Sequence, residues 1–198
     1  MKKTMVILDN GHGNDTAGKR SPIWGDSSQL MEYEFNRDVV NMIHSSLGSL
    51  GIGSTILVPE INDISLKERS DRVNVIYTKL KQTHNVFLVS VHANAGGGVG
   101  WECFTSKGET QSDKLAECLC NSATSFWKNK KIRMDTLDGD KDKEENFYIL
   151  KNTLCPAVLT ENFFYDNEAE CRYLMSKEGR KEVAKVHVDG ITSYISTL

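Results

Sequence analysis

No apolar run in this 198-residue chain approaches the length of a membrane span, so the sequence offers no candidate transmembrane helix. Neither sign of charge dominates. The 24 lysines and arginines stand against 27 aspartates and glutamates, a net charge of −3, which gives no electrostatic basis for binding nucleic acid or an anionic membrane. With only three prolines, no Pro/Ser-rich linker and no internal repeat, nothing divides the chain, and residues 1–198 are expected to form one domain. The five cysteines (Cys103, Cys118, Cys120, Cys155 and Cys171) include no C-x-x-C pair. An odd count without zinc-knuckle spacing argues against a disulfide framework and a thiolate metal site. Buried, reduced cysteines and synthesis in a reducing compartment are the expectation. The opening "MKKTMVILDNGHG" has too short an apolar stretch for a secretory signal and no small-residue cleavage site, so it reads as a first strand. That predicts synthesis in the cytoplasm without a signal, or export after one was trimmed.

What is present is an ordinary globular composition, 39% hydrophobic and 26% charged. Strand-like and helix-like segments alternate. Residues 4–9 read as a strand. Phe35, Val39, Ile43, Leu47 and Leu50 recur at helical spacing over residues 32–50, with Gly51 as C-cap. A strand at 53–58 precedes a helix opened by Ser65 and Glu68 at capping-box spacing. "VFLVSV" (86–91) is a continuous apolar strand, the pattern of one buried on both faces. A strand at 100–106, a helix at 112–128, a strand at 157–161 and helices near 167–176 and 178–196 follow. The predicted fold is α/β: a single-domain three-layer sandwich with a mostly parallel, mixed sheet of about six strands flanked by helices. The run Asn129–Asn146 is polar and holds only Ile132, Met134 and Leu137 as scattered apolar residues. Its "DGDKDKEE" lacks calcium-loop spacing and reads as a solvated loop that does not cover a pocket, so an open cleft is expected.

Two strands end in a histidine within a glycine-rich loop: His12 in "VILDNGHG" and His92 in "FLVSVHANAGGG". In a parallel α/β sheet, sites form where loops leave the carboxyl ends of strands. Glu161 lies at such an end, and Glu32 opens the first long helix. Two histidines and a carboxylate make a catalytic zinc set with a position left for water, and a further carboxylate can shuttle the proton. Residue type alone leaves open which glutamate does which.

"DNGHG", "EYEFN", "SVHANA" and "PAVLTENFF" follow, in that order, the landmarks of the zinc-dependent N-acetylmuramoyl-L-alanine amidases of the type-3 group, peptidoglycan hydrolases. The resemblance spans nearly the whole chain. It implies that His12, Glu32 and His92 bind one zinc ion, that Glu161 is the catalytic carboxylate, and that peptidoglycan is the substrate of a monomer. Asn36, four positions after Glu32, fills the place that selects Glu32 over Glu34. Phe163 stands where the family has glycine, which predicts a more crowded pocket floor, and "KNT" (151–153) stands where an arginine is common. No substrate-contacting residue is carried over.

The implied activity is hydrolysis of the amide between the lactyl group of N-acetylmuramic acid and L-alanine. The competing readings are another zinc amide hydrolase, a peptidase or deacylase on the same scaffold, and a catalytically inactive wall-binding module. Elsewhere, His44 and His84 read as surface residues and His187 as a hydrogen-bonded core histidine. Trp127 reads as packing and Trp101 as the wall of a sugar groove. Glu102 either supports the site or faces solvent.

Overall fold

The computed structural model describes residues 2–136 and 139–198. Among them the order is β1 (Lys3–Asn10), α1 (Glu32–Ser49), β2 (Gly53–Ile56), α2 (Leu66–Leu80), β3 (His84–Asn94), β4 (Trp101–Thr105), α3 (Gln111–Phe126), β5 (Lys143–Glu144), α4 (Tyr148–Lys151), β6 (Ala157–Phe164), α5 (Glu168–Met175) and α6 (Lys177–Ile195). The strands form one sheet in the order β2-β1-β3-β6-β4-β5. β2, β1, β3 and β6 run parallel, β4 is antiparallel to β6, and β5 is parallel to β4. The expected mixed three-layer sandwich is what forms.

Strand alternation divides the core into two layers. Val6, Leu8, Phe87, Val89, Val91 and Val158 face one way, onto apolar residues of α1, α3, α5 and α6. Ile7, Val86, Leu88, Ala157 and Leu159 face the other, onto Val73 of α2 and Ile149 and Leu150 of α4. One side of the sheet is therefore covered by four helices and the other by two. Ser65 caps α2 by accepting from the Glu68 N–H at 3.1 Å, as the sequence spacing predicts.

Two short elements escape the sequence pattern: the two-residue β5 and the four-residue α4. β5 belongs to the polar run, which is less solvated than expected. Ile132 bridges to Trp101, and Asp142 is buried, accepting from the Thr105 hydroxyl at 2.6 Å. Burial pushes the Asp142 carboxyl up to about 7, with Asp140 and Asp113 adding to the shift and Thr105 opposing it. Leu137 and Asp138 of that run lie outside the described residues.

Candidate metal centre and cleft

His12 follows the carboxyl end of β1, His92 lies near the carboxyl end of β3, and Glu161 pairs with His92 across the β3–β6 ladder. Glu32 is the first residue of α1, where a carboxylate is favoured by the helix dipole. Parallel pairing thus gathers residues 80 positions apart at one end of the sheet. One ligand atom each from His12, Glu32 and His92 lies within 4.8 Å of the others. Glu32 Oε1 is 3.4 Å from His12 Nε2 and 3.2 Å from His92 Nδ1, and it also accepts from the Ala93 N–H at 3.2 Å. The imidazole rings meet edge to face at 4.9 Å. Gly11 permits this approach, because a Cβ there would overlap the His92 ring.

The donor set tests whether the cluster suits a metal. Glu32 is 1% exposed, and its Oε2 is buried without a hydrogen-bond partner. A buried carboxylate oxygen left bare is costly unless a cation or a donor meets it. Two imidazoles and one carboxylate are a donor set that suits zinc. Burial opposes ionisation of Glu32, but hydrogen bonds and charge from His12 and His92 prevail and hold its carboxyl well below the usual carboxylate range. Burial lowers the His12 pKa. At His92 burial is outweighed by Glu32, with Glu161 and Asp9 assisting, and the pKa rises.

Glu161 makes no hydrogen bond through its buried Oε2. Burial pushes its carboxyl up to about 7; His92 and Lys19 pull it down, and Glu32 and Glu102 push it up. A carboxyl held near neutrality can both take and return a proton.

The backbone around the cluster is held by side chains that periodicity alone does not flag. Asn36 donates to the Gly11 carbonyl at 3.0 Å, and Arg37 to the His12 carbonyl at 2.8 Å. Arg69, 2% exposed, pairs with Asp9 at 2.6 Å and Asp63 at 2.7 Å and donates to the carbonyls of Asn10 and His12. The Ser90 hydroxyl donates to the second Asp9 oxygen at 2.5 Å. The available signals were a charge inside a buried strand, Asp9, and an arginine four residues before Val73 on the apolar stripe of α2. Asn162 donates to the His92 carbonyl at 2.8 Å.

Two sequence expectations need correction. Trp101 lines no groove: it is fully buried, and its indole N–H donates to Asn162 Oδ1 at 2.8 Å, orienting the amide that holds His92. Phe163 does not crowd the pocket floor. A bulge in β6 turns its ring into the four-helix side of the core, against Trp127 and Tyr173. Glu102 resolves in favour of support: buried, it pairs with Arg133 and Lys143 and accepts from Asn94. His187 is a core histidine and Trp127 a core residue, as expected, while His44 bonds Ser54 at the surface.

His12, His92 and Glu161 open into a cleft of about 550 Å³ on the two-helix side. Its lining includes the polar Thr16, Lys19 and Asp63 and the apolar or aromatic Ile64, Leu66, Phe147 and Tyr148. No described residue of the polar run 129–146 lines it.

A family model described as N-acetylmuramoyl-L-alanine amidase matches residues 6–193. The amidase CwlM of Bacillus licheniformis is 25% identical over 193 residues, covering 94% of this chain and 66% of CwlM. The endolysin of Bacillus phage SPP1 is 27% identical over 195 residues, covering 97% of this chain and 66% of the endolysin. The chain thus spans just under two thirds of the length of these relatives. In fold, it superimposes on the N-acetylmuramoyl-L-alanine amidase from Clostridium difficile 630 with a TM-score of 0.82 at 23% identity, over 100% of this chain and 99% of that one. The Ami1 amidase from Mycobacterium smegmatis gives 0.79 at 20% identity, over 100% and 99%.

Proposed function

Because the chain belongs to the N-acetylmuramoyl-L-alanine amidase family, we propose that residues 1–198 act as one monomeric catalytic domain on peptidoglycan, at the cell wall. The bond cut is the amide between the lactyl group of N-acetylmuramic acid and L-alanine. His12, Glu32 and His92 hold one zinc ion, and Glu161 is the catalytic carboxylate. The observation that carries this reading is the convergence of His12, Glu32 and His92 around a bare, buried Glu32 oxygen, with Glu161 paired beside His92.

Zinc, when held there, supplies a Lewis acid that polarises the scissile carbonyl and acidifies water. The chain's own residues do the rest. Glu161 takes the proton of the attacking water and delivers it to the leaving alanine nitrogen, for which a carboxyl near 7 is suited. Arg37, Arg69, Asn36 and Asn162 fix the backbone that presents the two histidines. The cleft walls orient the substrate.

The test is digestion of purified peptidoglycan with the zinc-loaded protein, followed by identification of the new ends. Freed L-alanine amino groups without new reducing sugars are expected. New amino groups from another amide would make the chain a different amide hydrolase, new reducing sugars would overturn the amide reading, and no new ends at all would make it a wall-binding module. In the same assay Glu161→Gln is expected to keep its metal and lose on the order of 10²–10⁴-fold in rate. Glu32→Gln is expected to lose metal instead. The opposite pattern would reverse the two roles.

A further inference from the structure

We propose that Lys19 is the specificity-determining residue of the cleft, its ammonium binding a free carboxylate of the stem peptide next to the scissile amide. This rests on the amidase reading above.

Lys19 is fixed relative to the metal cluster by its own backbone. Its carbonyl accepts the Glu32 N–H at 3.1 Å, and the next residue, Arg20, bridges to Met31. The side chain rises from a segment pinned to the start of α1 and lines the cleft with His12 and Glu161.

The charges of the cleft are otherwise matched. Arg69 is closed off between Asp9 and Asp63. Arg37 is spent on the carbonyls of His12 and Glu60. Glu32 takes His12 and His92. Lys19 and Glu161 remain, and they do not pair with each other: their charged atoms lie more than 4.0 Å apart. Among the described residues the Lys19 ammonium has no hydrogen-bond or ion-pair partner, yet its charge is felt at both His12 and Glu161. Lys19 is only half-buried, so a ligand entering the cleft can reach its side chain.

An unpaired ammonium at such a place is a point charge suited to a carboxylate. Standing off Glu161, it reaches a group displaced from the reacting carbonyl. Of the other lining residues, Ile64, Leu66, Phe147, Ile149 and Leu159 are apolar, and Arg69 is taken by Asp9 and Asp63. An anionic portion of the peptide therefore finds its free cation in Lys19.

The experiment uses two N-acetylmuramoyl dipeptides that differ only at residue two, one with a free α-carboxylate and one with the carboxamide. Steady-state kinetics are measured on both, together with calorimetric binding of the two released dipeptides. The wild-type protein is expected to favour the carboxylate form about tenfold in KM and in product affinity, with equal kcat, the size of one charge-assisted contact. Lys19→Met should erase the preference in KM and in product affinity, while Lys19→Arg should keep it. The proposal is overturned if Lys19→Met retains the preference, or if the wild type shows none. Binding separates this test from that of the activity. Carboxylate-selective binding lost in Lys19→Met, without hydrolysis of either substrate, would sink the amidase reading and leave Lys19 standing. Hydrolysis without selectivity would do the reverse.

Discussion

His12 adopts a φ of 64°, a conformation that costs a residue with a side chain roughly 1–2 kcal/mol. Something must hold it, and its carbonyl is gripped by Arg37 and Arg69. Arg69 is also the counterion of buried Asp9, so the two substitutions that remove it differ in kind. Arg69→Ala strands a buried carboxylate and is expected to destabilise by about 3–5 kcal/mol. Arg69→Lys keeps the charge but lacks the planar fork that reaches Asp9, Asp63 and two carbonyls together. That variant should fold and bind metal roughly 10–100-fold more weakly, read by competitive chelator titration. Wild-type metal affinity in Arg69→Lys would show that the grip does not set the His12 position. At this scale the gathering of His12, His92 and Glu161 at one end of the sheet was legible, because loops at the carboxyl ends of parallel strands bring together what they carry, and Glu32 was picked out by the order of the motifs. The residues behind them were not. An arginine on a helix stripe looks like an ordinary solvated charge until the fold brings Asp9 opposite it.

The bulge in β6 is the element whose behaviour the sequence concealed. His92 pairs with Glu161 and Asn94 with Phe164, so Asn162 and Phe163 together oppose Ala93. Phe163 takes the extra position at φ 64°, and its ring, 1% exposed, lies 4.9 Å from Trp127 and 5.3 Å from Tyr173. Removing the ring costs roughly 3–5 kcal/mol whatever replaces it. The backbone then decides between replacements: Phe163→Gly should be more stable than Phe163→Ala by about 1 kcal/mol, the reverse of the usual order in a strand. Chemical denaturation of both variants measures the difference, and alanine proving the more stable would remove the strain argument. The longer helices and strands were legible because their apolar periods run over several turns or residues. β5 and α4 were not, since two and four residues carry no period and exist only through pairing with β4 and packing under α2. Trp101 was misjudged for a related reason: alternation shows that β4 has two faces, but not that both are covered.

The whole molecule is held across its layers by polar contacts as well as by its core. His187 of α6 donates from Nδ1 to the Val183 carbonyl at 2.8 Å and accepts at Nε2 from the Thr160 hydroxyl of β6, also at 2.8 Å. Burial lowers its pKa to about 4, with the Val183 carbonyl opposing, so the folded state holds the ring neutral. A folded pKa below the unfolded value of 6.5 means that protonation favours the unfolded chain. The contribution is therefore complete above about pH 6.5 and is lost as pH falls toward 4, by up to about 3 kcal/mol. Between pH 6.5 and 5 the wild type should lose stability relative to His187→Gln as pH falls, because the opposing contributions of Asp142 and Glu161, whose carboxyls are raised to about 7, are shared by both proteins, and His187→Gln should be the less stable at pH 7. Equal slopes in the two proteins would show that His187 does not couple α6 to the sheet.

The order of the sheet has one more consequence. Its two outermost strands are its shortest, Gly53–Ile56 at one edge and Lys143–Glu144 at the other, while the longest, β3, lies inside. An edge strand exposes unpaired N–H and C=O groups that can recruit another chain, and the number it offers grows with its length. Here one border presents four residues and the other two, the latter a lysine beside a glutamate. The molecule has little template on which a neighbour could extend the sheet. It can be concentrated with small risk of stacking strand to strand into aggregates.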